Sequence, residues 1–132
     1  MNAPTNNKGF TLVEHLAVFA IIGILAAIAI TSYLYVIDRA RLTSGISALG
    51  ALGKEMEMYN IDKGLYPLNI NFNNFTDQNG VPILSPINYE RIKDKVYSWD
   101  SYTPGGDTYT LAAKALNSKH TLLTLTPSGV TY

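Results

Sequence analysis

The chain begins with a short polar segment and then changes abruptly to a long apolar stretch. Residues 1–9 contain several asparagines and a proline, whereas residues 10–37 carry a single acidic group, Glu14, and no Lys or Arg. Roughly 20 mainly apolar helical residues are enough to cross the hydrocarbon core of a bilayer. The pattern therefore predicts a leader over residues 1–9 and a transmembrane helix over residues 10–37.

The next segment keeps a helical period but becomes amphipathic. Apolar residues recur at steps of three and four, with charged residues between them: Ile46, Leu49, Leu52, Met56 and Tyr59. This spacing predicts an amphipathic helix over residues 38–59 that packs on a domain. No proline lies between Pro4 and Pro67, so both segments are expected to form one helix of about 50 residues.

The remainder of the chain changes from irregular to alternating. Residues 60–95 are rich in Asn, Pro, Gly and Asp without a sustained period, which predicts a variable loop region with short elements. Residues 96–132 alternate apolar and polar positions between turn signals, which predicts an antiparallel β-meander. The expected strands lie at residues 96–99, 109–115, 120–126 and 130–132. The fold class is then α+β, a long N-terminal helix packed on a small antiparallel sheet.

Composition excludes several classes of function. Ten basic residues balance ten acidic ones, so no overall basic field exists to attract nucleic acid. Cysteine is absent, which excludes disulfides, thiol nucleophiles and thiolate metal sites. The two histidines, His15 and His120, lie far apart and neither belongs to a recognisable catalytic set. No enzymatic activity, metal or cofactor is expected.

The motif Lys8-Gly9-Phe10-Thr11-Leu12-Val13-Glu14 resembles the processing site of type IV pilins and pseudopilins. The resemblance implies that a prepilin peptidase, a membrane aspartyl protease, cleaves after Gly9 and methylates the new amine of Phe10. Gly9 lets the backbone approach a protease closely, and Lys8 favours retention of the leader in the cytoplasm.

Glu14 is the informative residue, because a carboxylate in an otherwise uncharged span is costly and marks a functional site by default. The resemblance implies that Glu14 pairs with the α-amine of Phe10 in a neighbouring subunit. Such a pair would set the axial register of an assembly more than its raw stability.

The similarity continues through residues 20–30 and again at residues 59–67. It implies a homo-oligomeric helical filament whose core contains the helices, packed closely at small residues: Gly23, Ala26, Ala27 and Ala29. The subunit would wait in membrane lipid of the bacterial inner membrane, interact with the assembly machinery there, and end in an extracellular pilus. Three features depart from the family pattern: His15 in place of leucine, Thr31 in place of proline, and no cysteine pair near the C-terminus.

Several functions remain open. The first is a type IV pilus subunit for adhesion, twitching motility or DNA uptake, in which nucleic acid binds only at the level of the fibre. The second is a pseudopilin of a type II secretion system, although residues 126–132 lack the acidic groups that major pseudopilins typically carry for calcium. The remaining alternatives are an ordinary signal peptide, for which Ala27-Ile28-Ala29 offers a cleavage pattern, and a plain single-span anchor.

Overall fold

The computed structural model describes residues 10–132 and confirms the α+β fold. Two helices precede four strands in the chain. The elements are α1 (Leu12–Lys63), α2 (Pro86–Ile92), β1 (Val96–Pro104), β2 (Tyr109–Ala115), β3 (Leu122–Thr126) and β4 (Gly129–Thr131). The strands pair antiparallel in the order β1-β2-β3-β4, so each contacts the strand that follows it in the chain, as a meander requires.

The chain divides into two compact units between Val36 and Ile37. In the first unit, residues 12–36 belong to α1, and every residue from Phe10 to Val36 is exposed. The most apolar 18-residue window of α1 has a mean hydropathy of 2.4 and buries none of its residues. By length and composition α1 is able to cross a membrane.

In the second unit, one face of α1 packs on one face of the sheet. The buried helix positions are Gly45, Ala48, Leu49, Leu52 and Met56. The sheet contributes alternate residues, since strand side chains point to opposite faces: Leu111, Ala113, Leu123 and Leu125 are at most 1% exposed. The amphipathic pattern in the sequence therefore marks the face that becomes the core.

Two glycines of α1 permit the sheet to approach the helix closely. A Cβ atom built on Gly45 would lie 3.1 Å from Cδ1 of Leu123, and one on Gly53 would lie 3.1 Å from Cδ1 of Leu125. Both distances are tighter than ordinary van der Waals contact. The lost helix propensity of glycine, about 1 kcal/mol per residue, is thus offset by packing of β3 against α1.

Element boundaries follow local signals. Helix α1 extends beyond Tyr59 to Lys63 and stops where Gly64 adopts φ +78°, with the Gly64 amide donating to the Asn60 carbonyl at 2.7 Å. A glycine in the left-handed conformation is a common helix terminator. Near the C-terminus, His120 also has a positive φ, 48°. Strand β3 therefore begins at Leu122 and not at residue 120 as expected.

Helix α2 lies within the segment expected to be mainly irregular. Pro86 occupies its first turn, where a missing amide hydrogen is tolerated. Glu55 of α1 accepts hydrogen bonds from the Ser85 hydroxyl at 3.2 Å and from the Asn88 side-chain amide. The start of α2 is thereby joined to α1.

An aromatic cluster organises the loops before α2. Phe75 is 1% exposed and packs edge-on against Trp99 and Tyr89, with ring centroids 5.0 and 6.0 Å away. Phe72 stacks on Trp99 at 5.4 Å. Residues 60–95 therefore form part of the core despite their polar composition.

Asp77, which is 6% exposed, lies on the same loops, and its side chain is held by hydrogen bonds. Its carboxylate accepts from the Tyr59 hydroxyl at 2.7 Å and from the amides of Asn79 and Val81 at 2.8 Å each. Burial alone would raise the pKa of Asp77, but these hydrogen bonds outweigh it and lower the pKa. Burial and the bond to Asp77 raise the pKa of Tyr59 to about 12.

The Tyr59–Asp77 bond makes stability depend on pH in two windows. A neutral Tyr59 is favoured in the folded protein, so its contribution is complete below the unfolded pKa of about 10 and is lost as pH rises through about 12. The Asp77 contribution is present above about pH 4 and is lost as pH falls further. We expect the difference in unfolding free energy between wild type and Tyr59→Phe to shrink in both windows. A difference that stays constant from neutral pH to about 12 contradicts the assignment.

Unlike Tyr59, Tyr109 has a buried hydroxyl that forms no hydrogen bond with any of the described residues. Its ring packs edge-on against Tyr66 at 4.7 Å, and the Tyr66 hydroxyl donates to Glu57 at 2.6 Å. Because an unsatisfied buried hydroxyl costs about 1–3 kcal/mol, Tyr109→Phe is expected to raise the free energy of unfolding by about 1 kcal/mol. The matched variant Tyr66→Phe should lower it by about 1 kcal/mol. Chemical denaturation measures the free energy of unfolding of both variants. Equal changes in the two variants would contradict the different hydrogen bonding of Tyr109 and Tyr66.

Candidate functional site

The start of α1 forms a reciprocal hydrogen-bonded cap. The backbone amide of Thr11 donates to Oε2 of Glu14 at 2.7 Å, and the amide of Glu14 donates to Oγ1 of Thr11 at 3.3 Å. A Thr or Ser followed three residues later by Glu is the capping-box pattern, which satisfies two amides that the first helical turn leaves unpaired. A carboxylate here also interacts favourably with the helix dipole.

The cap shows a role of Glu14 that sequence reasoning missed. The Thr-x-x-Glu signature stands in the sequence immediately before the apolar run, where it marks a helix start. Interpreting Glu14 only as an intermolecular partner overlooked this local explanation. The two roles are compatible, because a carboxylate offers about four lone-pair positions. Within residues 10–132, Oε1 of Glu14 accepts no hydrogen bond.

His15 lies beside the cap and contacts two of its neighbours. Its Nδ1 is 3.2 Å from the carbonyl oxygen of Thr11, and its ring meets the Phe10 ring edge-on with centroids 5.8 Å apart. Phe10, Glu14 and His15 line one shallow surface pocket together with Val18 and Phe19. Three residues singled out from the sequence are therefore neighbours at the start of the helix.

The other predicted site residues lie elsewhere. Lys8 and Gly9 are outside the described residues, so the cleavage position stays a prediction. The small residues proposed for helix packing are exposed along α1: Gly23, Ala26, Ala27 and Ala29. Thr31 donates its hydroxyl to the Ile28 carbonyl at 2.9 Å, and α1 continues past it.

The chemistry available at this site is recognition of a cation by Glu14 in apolar surroundings. Phe10, Val18 and Phe19 are 78%, 52% and 70% exposed, so the carboxylate stands among side chains that water solvates poorly. Among residues 10–132 no group of three or more His, Asp or Glu side chains is arranged to hold a metal ion. An amine or another single positive charge complements the carboxylate of Glu14 in charge.

Comparison with known proteins adds two kinds of similarity. The profile described as the prokaryotic N-terminal methylation motif matches residues 4–30. A type IV wide pilus major component from Thermus thermophilus is 47% identical over 64 residues, which are 48% of this chain and 49% of the relative. A fimbrial protein from Eikenella corrodens is 42% identical over 60 residues, covering 46% of this chain and 39% of the relative.

A third relative aligns over a longer range at lower identity. The type II secretion system core protein G of Escherichia coli is 27% identical over 130 residues, 98% of this chain and 88% of the relative. The chain thus spans less than half of the Thermus and Eikenella relatives and most of the secretion-system relative. The higher identities extend over about half of this chain, and the alignment at lower identity extends over nearly all of it.

Proposed function

We propose that the chain is a member of the type IV pilin and pseudopilin family and the structural subunit of a type IV pilus, because it is similar to members of both groups. A prepilin peptidase would cleave it after Gly9 and methylate Phe10. Residues 10–37 would hold it in the bacterial inner membrane until the assembly machinery adds it to an extracellular filament.

The observation that carries this proposal is the unburied apolar surface of α1. Every residue from Phe10 to Val36 is exposed in the single chain. Soluble monomers rarely leave a continuous apolar surface of that extent in water. Lipid can cover it in a stored subunit, and neighbouring helices can cover it in a filament.

Transfer of this surface from lipid to other helices is nearly neutral in hydrophobic free energy, so assembly depends on packing and polar contacts. The exposed small residues Gly23, Ala26, Ala27 and Ala29 allow helices to approach closely. The carboxylate of Glu14, with one oxygen still able to accept, suits a neighbour's α-amine. Head-to-tail contacts of this kind do not close on themselves and produce a helical fibre.

A pseudopilin of a type II secretion system is the second candidate. The alignment with core protein G over 98% of the chain favours it. The higher identity with the pilus and fimbrial relatives, over about half of the chain, favours the pilus. Both candidates use the same site and the same mode of assembly.

Deletion of the gene separates the two candidates. For a pilus subunit we expect loss of fibres that can be sheared from the cell surface, together with loss of adhesion, motility or DNA uptake. For a pseudopilin, fibres persist and secreted enzymes remain inside the cell. Restoring the wild-type gene should reverse either defect.

Mass spectrometry of the mature subunit tests the processing step. We expect an N-terminus at Phe10 with one added methyl group. An N-terminus at Ile30 would support the ordinary signal peptide instead. A chain that keeps residues 1–9 and stays monomeric in cells with a complete assembly apparatus would contradict the proposal.

A further inference from the structure

Positive charge beyond the apolar stretch is not explained by filament assembly. Arg39 and Arg41 follow the stretch directly, whereas the preceding segment carries only Lys8. Cytoplasmic segments of membrane proteins usually hold the excess of Lys and Arg. In the proposed function, these arginines lie on the side of the membrane away from the cytoplasm. Their positive charge on that side needs a separate explanation.

A third cation is brought to the same place by the fold. The backbone amide of Ser118, in the loop between β2 and β3, donates to Oδ1 of Asp38 at 2.5 Å. This bond joins residues that are 80 positions apart in the chain. It fixes the loop against α1 and places Lys119 beside the first charged turn of the second unit.

Asp38 does not cancel the cations around it. The hydrogen bond from the Ser118 amide is the main cause of a lowered pKa at Asp38, and the charges of Arg41 and Lys119 act in the same direction. Arg39, Arg41 and Lys119 are all exposed. We call these three residues the basic collar, which with Asp38 has a net charge of about +2 at neutral pH.

Two residues of the collar follow the expected membrane span closely in the sequence. From Glu14, roughly 20 helical residues cross the hydrocarbon core, which ends near Tyr33. Arg39 and Arg41 come six and eight residues after Tyr33. Arginine and lysine side chains extend several ångströms back toward an interface, so their charged groups reach the phosphate layer.

We propose that the basic collar binds the phosphates of anionic phospholipids in the leaflet that faces the second unit. This inference rests on the proposed function, because it requires α1 to span the membrane before assembly. Arg41 contributes a guanidinium suited to bidentate phosphate contacts, and Lys119 contributes a point charge. The bound lipids hold the stored subunit at a fixed depth and must be released when it enters a filament.

Native mass spectrometry of the full-length protein in nanodiscs tests the collar. The discs contain phosphatidylcholine with or without phosphatidylglycerol, and the readout is the anionic lipid retained per protein. Each cation near an anionic surface strengthens binding roughly fivefold. Arg41→Gln/Lys119→Gln is therefore expected to weaken retention of phosphatidylglycerol by roughly 25-fold.

The matched control is Arg91→Gln/Lys95→Gln, which removes the same two residue types from exposed positions near α2. We expect it to retain phosphatidylglycerol as wild type does. Inorganic phosphate added to discs of pure phosphatidylcholine should not bind detectably, which separates a lipid headgroup from a free anion.

Four results would overturn the inference. Equal retention by the two double variants would show that position is irrelevant. Unchanged retention combined with loss of fibres in Arg41→Gln/Lys119→Gln would assign the collar to contacts with another copy of the chain. If the wild-type chain fails to enter the discs, the proposed function itself is contradicted. If it inserts normally but shows no preference for anionic lipid, only the proposed lipid binding by the basic collar is contradicted.

Discussion

Replacing Glu14 by glutamine is expected to reduce the yield of surface fibres by more than tenfold while cleavage after Gly9 continues. Glutamine retains the capping box, because Glu and Gln serve equally at that position, but it removes the negative charge. Removing one partner of an ion pair in apolar surroundings costs about 3–5 kcal/mol, and tenfold corresponds to about 1.4 kcal/mol. The amount of subunit in sheared fibres, relative to the membrane pool, measures the effect.

Two further variants separate the charge from the cap. Glu14→Ala removes both, so it should reduce fibres at least as much as Glu14→Gln. Glu90→Gln removes an exposed carboxylate of α2 that forms an ion pair with Lys93. This variant should leave the fibre yield unchanged. Normal fibres from Glu14→Gln with few from Glu14→Ala would show that Glu14 acts as a helix cap and not as a charge.

Replacing Phe75 by alanine is expected to lower the free energy of unfolding of the second unit by about 3–5 kcal/mol. Phe75 is nearly fully buried against Trp99, Tyr89 and Phe72. Its φ of 50° is rare for a residue with a side chain, and packing holds it there. Loss of the ring removes both the buried area and the contacts that stabilise this backbone.

The single tryptophan of the chain provides the measurement. Trp99 lies against Phe75, so its fluorescence reports unfolding of this cluster in chemical denaturation of the full chain. Leu68→Ala is the control, since Leu68 is 61% exposed on the same region and its truncation should change stability by less than about 0.5 kcal/mol. A loss below about 1 kcal/mol for Phe75→Ala would contradict the role of the cluster.

The regular elements were predictable where a single local pattern determines them. The apolar run and the spacing from Ile46 to Tyr59 predicted α1, and β2 occupies the residues expected of it. Strand β1 extends to Pro104 because two irregularities in its pairing with β2 absorb the broken alternation. Helix α2 has only seven residues, too few for its period to be recognised.

Long-range contacts explain what the sequence did not show. The apolar side chains of residues 60–95 follow no sustained period, and Phe75 and Asp77 find partners on β1 and α1 that no local pattern indicates. At the candidate site, Glu14 and His15 are adjacent in α1 and Phe10 lies just before the helix, so closeness in the sequence accounts for their neighbourhood. The cap between Thr11 and Glu14 is also local, but the cost of a charge in lipid explains the same residue without it.

The order of the strands has a consequence for how the subunit is made. Each strand pairs with the one synthesised just before it, so the sheet is able to grow hairpin by hairpin as the chain is made. The helix face that receives the sheet has already emerged by then, since it precedes the strands in the chain. Strand pairing therefore needs no segment beyond the next strand, whereas the apolar face of α1 stays uncovered until β2 and β3 pack on it.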